Sequence, residues 1–329
     1  KGEEVHPWTK LYKHESIVFE LNQSGEFFVE ISATPSVEES QDYRLRVACQ
    51  DQCEKQYTRY PIVFMHGLGG FDSLLDIQEY WVGVEERLES NGYNIAIGKV
   101  SSFDTSDHRA VEWAQFLDEL VDRGIGRRFN LIAHSQGGID ARYLASKLDP
   151  EKRIQSITTI SSPHYGASLA GYLSDSLKIL SGQGALVDSV IGESSEVIGL
   201  GGNHLSAQLE SLRVEKMLRF NEEILDRADI QYFSWAGKSC RHLQEACKQE
   251  MQGEVLPPKY LKDHAYIEKR EGDNDGRVSI QSAQWGTFLG ILPADHLDEI
   301  GIHLDPSKQI FNASEFYLSE AERLYSIGF

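Results

Sequence analysis

Hydrophobic and polar positions along this chain follow two alternating rhythms. Short apolar runs recur, and each is followed by a stretch whose apolar positions return every three or four residues. The runs at 61–65, 94–100, 130–135, 157–161 and 230–235 predict strands. The intervening periodicity predicts helices over 75–90, 108–123, 136–148, 207–227 and 313–325. Continuous apolar runs suit strands covered on both faces, as in parallel sheets. Strands alternating with helices therefore predict an α/β domain with a mostly parallel central sheet. Before residue 58 the rhythm changes. Residues 16–21 and 26–31 are alternating stretches joined around Asn22-Gln23-Ser24-Gly25, which reads as a β-hairpin, and 43–47 alternates too and is a candidate third strand. The expected organisation is a small β-rich extension over 1–57 and a larger α/β domain over 58–329. No internal repeat is visible.

Chemistry concentrates at three places in the larger domain. Apolar Phe129-Asn130-Leu131-Ile132 leads into Ala133-His134-Ser135-Gln136-Gly137 and then a helical stretch. Strand, small-x-Ser-x-Gly, helix is the nucleophile-elbow pattern of α/β-hydrolases, with Ala133 where glycine is usual. The flanking positions must be small because the turn is sharp. Upstream, a strand ends in His66-Gly67-Leu68-Gly69-Gly70. A loop of this kind supplies one oxyanion donor in such folds, and the residue after the nucleophile supplies the other. The backbone N–H groups of Leu68 and Gln136 are the candidates. Downstream come Asp273-Asn274-Asp275-Gly276 and Asp295-His296, giving the chain order Ser, Asp, His. Ser135 needs a base, His296 titrates in the right range to be one, and Asp275 would hold its tautomer. Asp273 is the rival acid, though Asn274-Asp275-Gly276 reads better as a tight turn presenting its Asp.

With these pieces in order, the chain resembles the bacterial true lipases of family I, the Pseudomonas, Burkholderia and Proteus group. The resemblance runs through His66–Phe71, His134–Gly138, Ser162-Pro163-His164-Tyr165-Gly166, Tyr232–Gly237, Asn274–Ser279 and His296-Leu297-Asp298-Glu299. It implies an α/β-hydrolase fold with Ser135, Asp275 and His296 as catalytic triad, and Leu68 and Gln136 as oxyanion donors. It also implies a structural Ca²⁺ held by Asp298 and the carbonyls of Ile302 and Pro306. Calcium takes oxygen ligands of these kinds. The second carboxylate has no motif; Glu254 and Asp263 are candidates. An insertion over about 167–205 carries Leu169, Tyr172, Leu173, Leu177 and Leu180 on one helical face beside glycine-containing segments. That suits a lid opening at a lipid surface, against the plainer reading of a helix that always packs on the core.

Composition places these features without changing them. The 329 residues are 40 % hydrophobic and 25 % charged with a net charge of −19, so a globular chain is expected and a nucleic-acid partner is not, since phosphate contacts need Lys and Arg. No apolar run is long enough to span a bilayer. The start at Lys1 fits a processed secreted form or a trimmed one. Four cysteines form two close pairs; Cys49–Cys53 and Cys240–Cys247 is the simplest of three connectivities, with free thiols open and zinc disfavoured by the spacing. The expectation is a secreted, monomeric carboxylic ester hydrolase, a triacylglycerol lipase acting at an oil–water interface, with Ca²⁺ and no organic cofactor. A dedicated folding chaperone is a candidate partner. A phospholipase, polyester depolymerase or acyltransferase would use the same machinery, and a non-catalytic lipid-binding protein would merely keep the fold.

Overall fold

In the computed structural model the chain divides into two units, Lys1–Val47 and Ala48–Phe329. The structure describes residues 57–69, 80–180 (backbone only over 178–180), 205–303 and 310–329. The expected hairpin and third strand of the N-terminal extension lie outside the described residues, as do the Cys49–Cys53 pair and Pro306.

Six strands form one sheet: β1 (Ile62–Met65), β2 (Ile95–Ile97), β3 (Phe129–His134), β4 (Ile154–Ile160), β5 (Gln231–Gly237) and β6 (Thr287–Leu292). They lie in the order β2-β1-β3-β4-β5-β6, and every pairing is parallel. This is the α/β-hydrolase fold. The helices named here are α1 (Val84–Ser90), α2 (Ser106–Asp122), α3 (Gln136–Tyr143), α4 (Ser168–Leu180), α5 (Val214–Glu223), α6 (Leu261–Glu271) and α7 (Ala313–Ser326).

Side chains alternate across each strand, and both faces are covered. Ile62, Phe64, Ile132 and Ile160 pack with Trp81, Leu88, Tyr317 and Leu324 from α1, α7 and the turn before α1. Val63, Met65, Leu131, Ala133 and Ile157 pack on the other face with Trp113, Leu117, Ala141 and Leu144. Burying one such side chain stabilises by about 1.5–3 kcal/mol. Two-sided burial is why these strands read as continuous apolar runs.

Four expectations shift. The helix expected over 75–90 starts at Val84 within the described residues, because Gly83 at φ 69° breaks the helical path before it. The helix expected over 207–227 is two, 205–211 and α5. Its break falls where the Leu212 carbonyl accepts the Ala167 N–H at 2.9 Å and Arg213 turns extended at ψ 150°. Strand β6 went unpredicted, because Gly290 at φ 152° interrupts its pattern and most of its side chains are only partly buried. Helix α6, rich in charge, was missed as well.

A third apolar cluster sits apart from the sheet. Ala170 and Leu177 of α4 pack with Leu205, Leu209, Leu212 and Met217 over Ile139, and Leu68 and Leu173 join it partly buried. The apolar face of α4 differs from the expected one. Tyr172 is 48 % exposed and packs tilted against Tyr266 of α6, ring centroids 4.9 Å apart, whereas Ala170 and Ser174 are buried. The Ser174 hydroxyl donates to Glu210 at 3.0 Å, which turns the buried face toward that side. Among the described residues, no helix is long and apolar enough to cross a membrane.

Candidate active site

The site is assembled where β3 meets α3. Ser135 sits at φ 56°, ψ −131°, a conformation that costs a non-glycine residue of order 1–3 kcal/mol. The surroundings hold it there. Its N–H donates to the Ile160 carbonyl at 2.9 Å. A Cβ on Gly137 would lie 2.5 Å from the Met65 carbonyl oxygen, so the residue after Gln136 must be bare. Ala133, by contrast, is fully buried without trouble; the departure from glycine there costs the turn nothing visible.

The predicted residues meet. The Ser135 hydroxyl lies 2.9 Å from His296 Nε2, and His296 Nδ1 lies 2.7 Å from Asp275 Oδ2. Asp275 Oδ1 accepts the N–H groups of Arg277 and Val278, both at 2.7 Å. The turn anticipated from Asn274-Asp275-Gly276 exists: the Gly276 N–H donates to Asn274 Oδ1 at 2.9 Å. The rival Asp273 is excluded from this series, since it is half exposed and pairs with Lys238 at 2.9 Å. Asp275 accepting on one oxygen and facing Nδ1 with the other leaves Nε2 as the nitrogen available to the serine. Gln136 is the first residue of α3, so its N–H belongs to a helix N-terminus without an intrahelical partner. Its side chain donates to the Asp104 carbonyl at 2.9 Å and accepts from Gln208 of the 205–211 helix.

Behind this series lies a second one that sequence reading missed. Tyr80 Oη is 2.7 Å from His134 Nδ1, and His134 Nε2 is 2.9 Å from Glu299 Oε2. The Ser161 hydroxyl donates to Glu299 Oε1 at 2.6 Å. His134 and Glu299 are buried, and Glu299 comes within 3.9 Å of His296 Nδ1. Burial, and then the charge of Asp275, push the Glu299 carboxyl well above the usual range. Burial and the adjacent His296 push His134 well below it. The signal was present in His134 of the elbow and Glu299 of His-Leu-Asp-Glu, but nothing in the chain links residues 165 apart.

Beyond the histidine loop, Glu254, Asp295 and Asp298 bring three carboxylate oxygens within 4.8 Å of one another. Of the two candidate carboxylates, Glu254 is the one that lies beside Asp298. Asp263 is not part of the group; it pairs with Arg277 at 2.6 Å. Asp295 is an addition, and its Oδ1 accepts the N–H groups of Leu297 and Asp298. Burial first, then mutual repulsion, pushes Glu254 up to about 8 and Asp295 up to about 7. Such a set of oxygen donors fits a hard divalent cation such as Ca²⁺, whose charge would remove the repulsion. His303 Nδ1 faces Asp298 Oδ1 at 2.6 Å. Ile302 N–H donates to the Leu297 carbonyl at 3.0 Å, closing the loop that carries Asp298. The Cys240–Cys247 disulfide is formed, a few residues before Glu254.

A parallel sheet with a strained serine at the end of its third strand defines an α/β-hydrolase-fold protein. The palmitoyl protein thioesterase family model matches residues 61–269, and the chain belongs to that family. It is 34 % identical over 124 residues to a triacylglycerol lipase of Pseudarthrobacter phenanthrenivorans, covering 37 % of this chain and 38 % of that one. It is 28 % identical over 300 residues to a triacylglycerol lipase of Pseudomonas fragi, covering 82 % and 98 %. The chain thus spans little more than a third of the first relative's length and nearly all of the second's. The Staphylococcus hyicus lipase structure shares the fold with a TM-score of 0.63 at 19 % identity, covering 85 % and 98 %.

Proposed function

We propose that this chain is a serine ester hydrolase of the triacylglycerol lipase type. Relatives named as lipases, and neighbours titled as lipases and esterases, support the ester hydrolase class. The observation that carries the mechanism is the unbroken series Ser135–His296–Asp275 on a strained elbow. In this reading His296 Nε2 takes the Ser135 proton as Oγ attacks the ester carbonyl carbon. The amides of Leu68 and Gln136 hold the developing oxyanion, a contribution of about 3–4 kcal/mol per donor. Asp275 keeps His296 in the right tautomer and stabilises the imidazolium. His296 then returns the proton to the leaving alkoxide, and the alcohol departs. Water, deprotonated by the same imidazole, attacks the acyl-enzyme and releases the acid.

Ca²⁺, held by Glu254, Asp295 and Asp298, would supply charge neutralisation that braces the loop carrying His296. Helix α4 and the 205–211 helix fit a lid over the serine, because their apolar cluster reaches Leu68. Membership of the Pseudomonas, Burkholderia and Proteus group is our finer placement, supported by the order of the quoted motifs. Export is supported by the disulfide, which suits an oxidising compartment.

Hydrolysis of p-nitrophenyl esters from C2 to C18 beside a triglyceride emulsion, for wild type and Ser135→Ala, tests the reading. Cleavage of long chains and emulsion by wild type alone is the expected result; no turnover of any ester by wild type would refute it. The family match favours one second reading, a long-chain acyl thioesterase. Palmitoyl-CoA turned over faster than p-nitrophenyl palmitate would select it.

A further inference from the structure

An amide donor can aim only where its peptide plane aims it. In a trans peptide the N–H and the preceding C=O lie in one plane and point opposite ways. The Leu68 N–H therefore shares its plane with the Gly67 carbonyl, and whatever fixes that carbonyl fixes the donor. His66 Nδ1 lies 2.8 Å from the Gly67 oxygen, while His66 Nε2 accepts the Val100 N–H at 3.1 Å. A neutral imidazole that accepts on Nε2 carries its proton on Nδ1, so His66 donates to the Gly67 carbonyl. Burial, reinforced by Arg109, pushes the His66 ring down to about 3 and keeps it neutral.

The other polar group of Gly67 is fixed as well. Its N–H donates to Tyr80 Oη at 2.9 Å, and the same oxygen lies 2.7 Å from Nδ1 of His134, the neighbour of Ser135. Gly67 has no side chain to steer it and has no room for one. A Cβ there would lie 2.6 Å from Ser135 Cβ and 2.9 Å from Tyr80 Oη. The loop closest to the nucleophile is thus oriented by the side chains of other residues.

We propose that His66 and Tyr80 are positioning residues for the oxyanion loop, holding the carbonyl and the N–H of Gly67 so that the Leu68 amide faces the reacting carbonyl. Tyr80 adds register, because its phenol ties the loop to the strand that carries Ser135. This inference rests on the hydrolase reading above and on the donor role given there to Leu68.

Tyr80→Phe removes one oxygen and keeps the ring that packs on Trp81 and His66. On soluble p-nitrophenyl butyrate the expected result is a kcat lower by about tenfold with KM within about twofold. That is a fraction of the roughly 10²–10³-fold cost of losing an oxyanion donor outright. The Ki of a boronic acid, which forms a tetrahedral adduct on Ser135, should rise by the same factor as kcat falls. A second pair separates aim from packing: His66→Asn keeps an N–H near the Nδ1 position, and His66→Gln moves it toward Nε2. His66→Asn should retain the greater kcat at similar melting temperature. Tyr80→Phe with kcat and boronate Ki both within twofold of wild type overturns the proposal. So does a loss in kcat with an unchanged boronate Ki, which marks a merely structural role. A wild type that turns over no ester overturns the hydrolase reading and this proposal together; an active wild type with unaffected variants overturns this one alone.

Discussion

Two imidazole–carboxylate pairs stand side by side in this protein, with their imidazole rings 4.5 Å apart, and they are built for opposite purposes. In the front pair, His296 keeps partial access to solvent and presents Nε2 to a hydroxyl, while Asp275 is anchored by two backbone N–H groups. In the rear pair, both nitrogens of His134 are taken by Tyr80 and Glu299, and neither partner reaches water. Burial pushes the rear histidine down and the rear carboxyl up, so both are held toward their neutral forms. In the hydrolase reading proposed above, the same two functional groups serve as a proton carrier in one setting and a structural strut in the other. The difference lies in whether one nitrogen is left free and whether the carboxylate's charge is supported by donors.

The comparison breaks most sharply at the carboxylates. Asp275→Asn should cut kcat by about 10⁴-fold with little change in melting temperature, since it presents the wrong tautomer. Glu299→Ala should do the reverse: a stability loss of about 1–3 kcal/mol for each buried partner left unsatisfied, with turnover per folded molecule falling far less. Urea denaturation and kcat on p-nitrophenyl butyrate measure both. Equal kcat losses in the two variants would erase the distinction between the pairs.

The acidic trio sharpens the comparison, because there burial acts on carboxylates that lack a histidine strut apart from His303. The folded values of Glu254 and Asp295, about 8 and about 7, lie above those of an unfolded chain. The unfolded state then binds fewer protons through this window, so stability is present at low pH and is lost as pH rises through it. Metal-free protein should melt at progressively lower temperature from about pH 5 to about pH 8. Millimolar Ca²⁺ should flatten that slope, contributing about 2.7 kcal/mol where its concentration is a hundred times Kd. A slope indifferent to Ca²⁺ would remove the cation from the trio. The buried histidines work in the other sense. His66 and His134 titrate lower when folded, so their stabilisation is present above the unfolded value near 6.5 and fades as pH falls below it. The smallest expected effect concerns α4. Leu173→Glu should depress activity on an emulsion by severalfold relative to a soluble ester; equal changes on both substrates would leave α4 as ordinary packing.

Much of this was legible in the chain, and the reason is local. Two-sided strand burial writes apolar runs, and a tight elbow demands small neighbours. The parallel sheet and the Cys240–Cys247 pairing were therefore readable, and so was the series Ser135, Asp275 and His296 that the fold brings together. Reading failed where the determining partner is remote. Tyr172 leaves the apolar face of α4 because Tyr266 waits on α6, and the 205–223 segment breaks because Ala167 claims the Leu212 carbonyl. Asp295 joins Glu254 and Asp298 although no motif marks it, and Glu254 was only one of two candidates.

Sequence alone named Ser135, Asp275 and His296 as candidates and gave the order in which they come, because steric and hydrophobic constraints act on neighbours along the chain. Tertiary structure alone decided their electrical character: that His134 and Glu299 form a sealed, neutral pair, that Glu254, Asp295 and Asp298 share one small volume, and that His66 and Tyr80 hold Gly67. Proton affinity depends on burial and on charges within a few ångströms, and those distances exist only once the chain has folded.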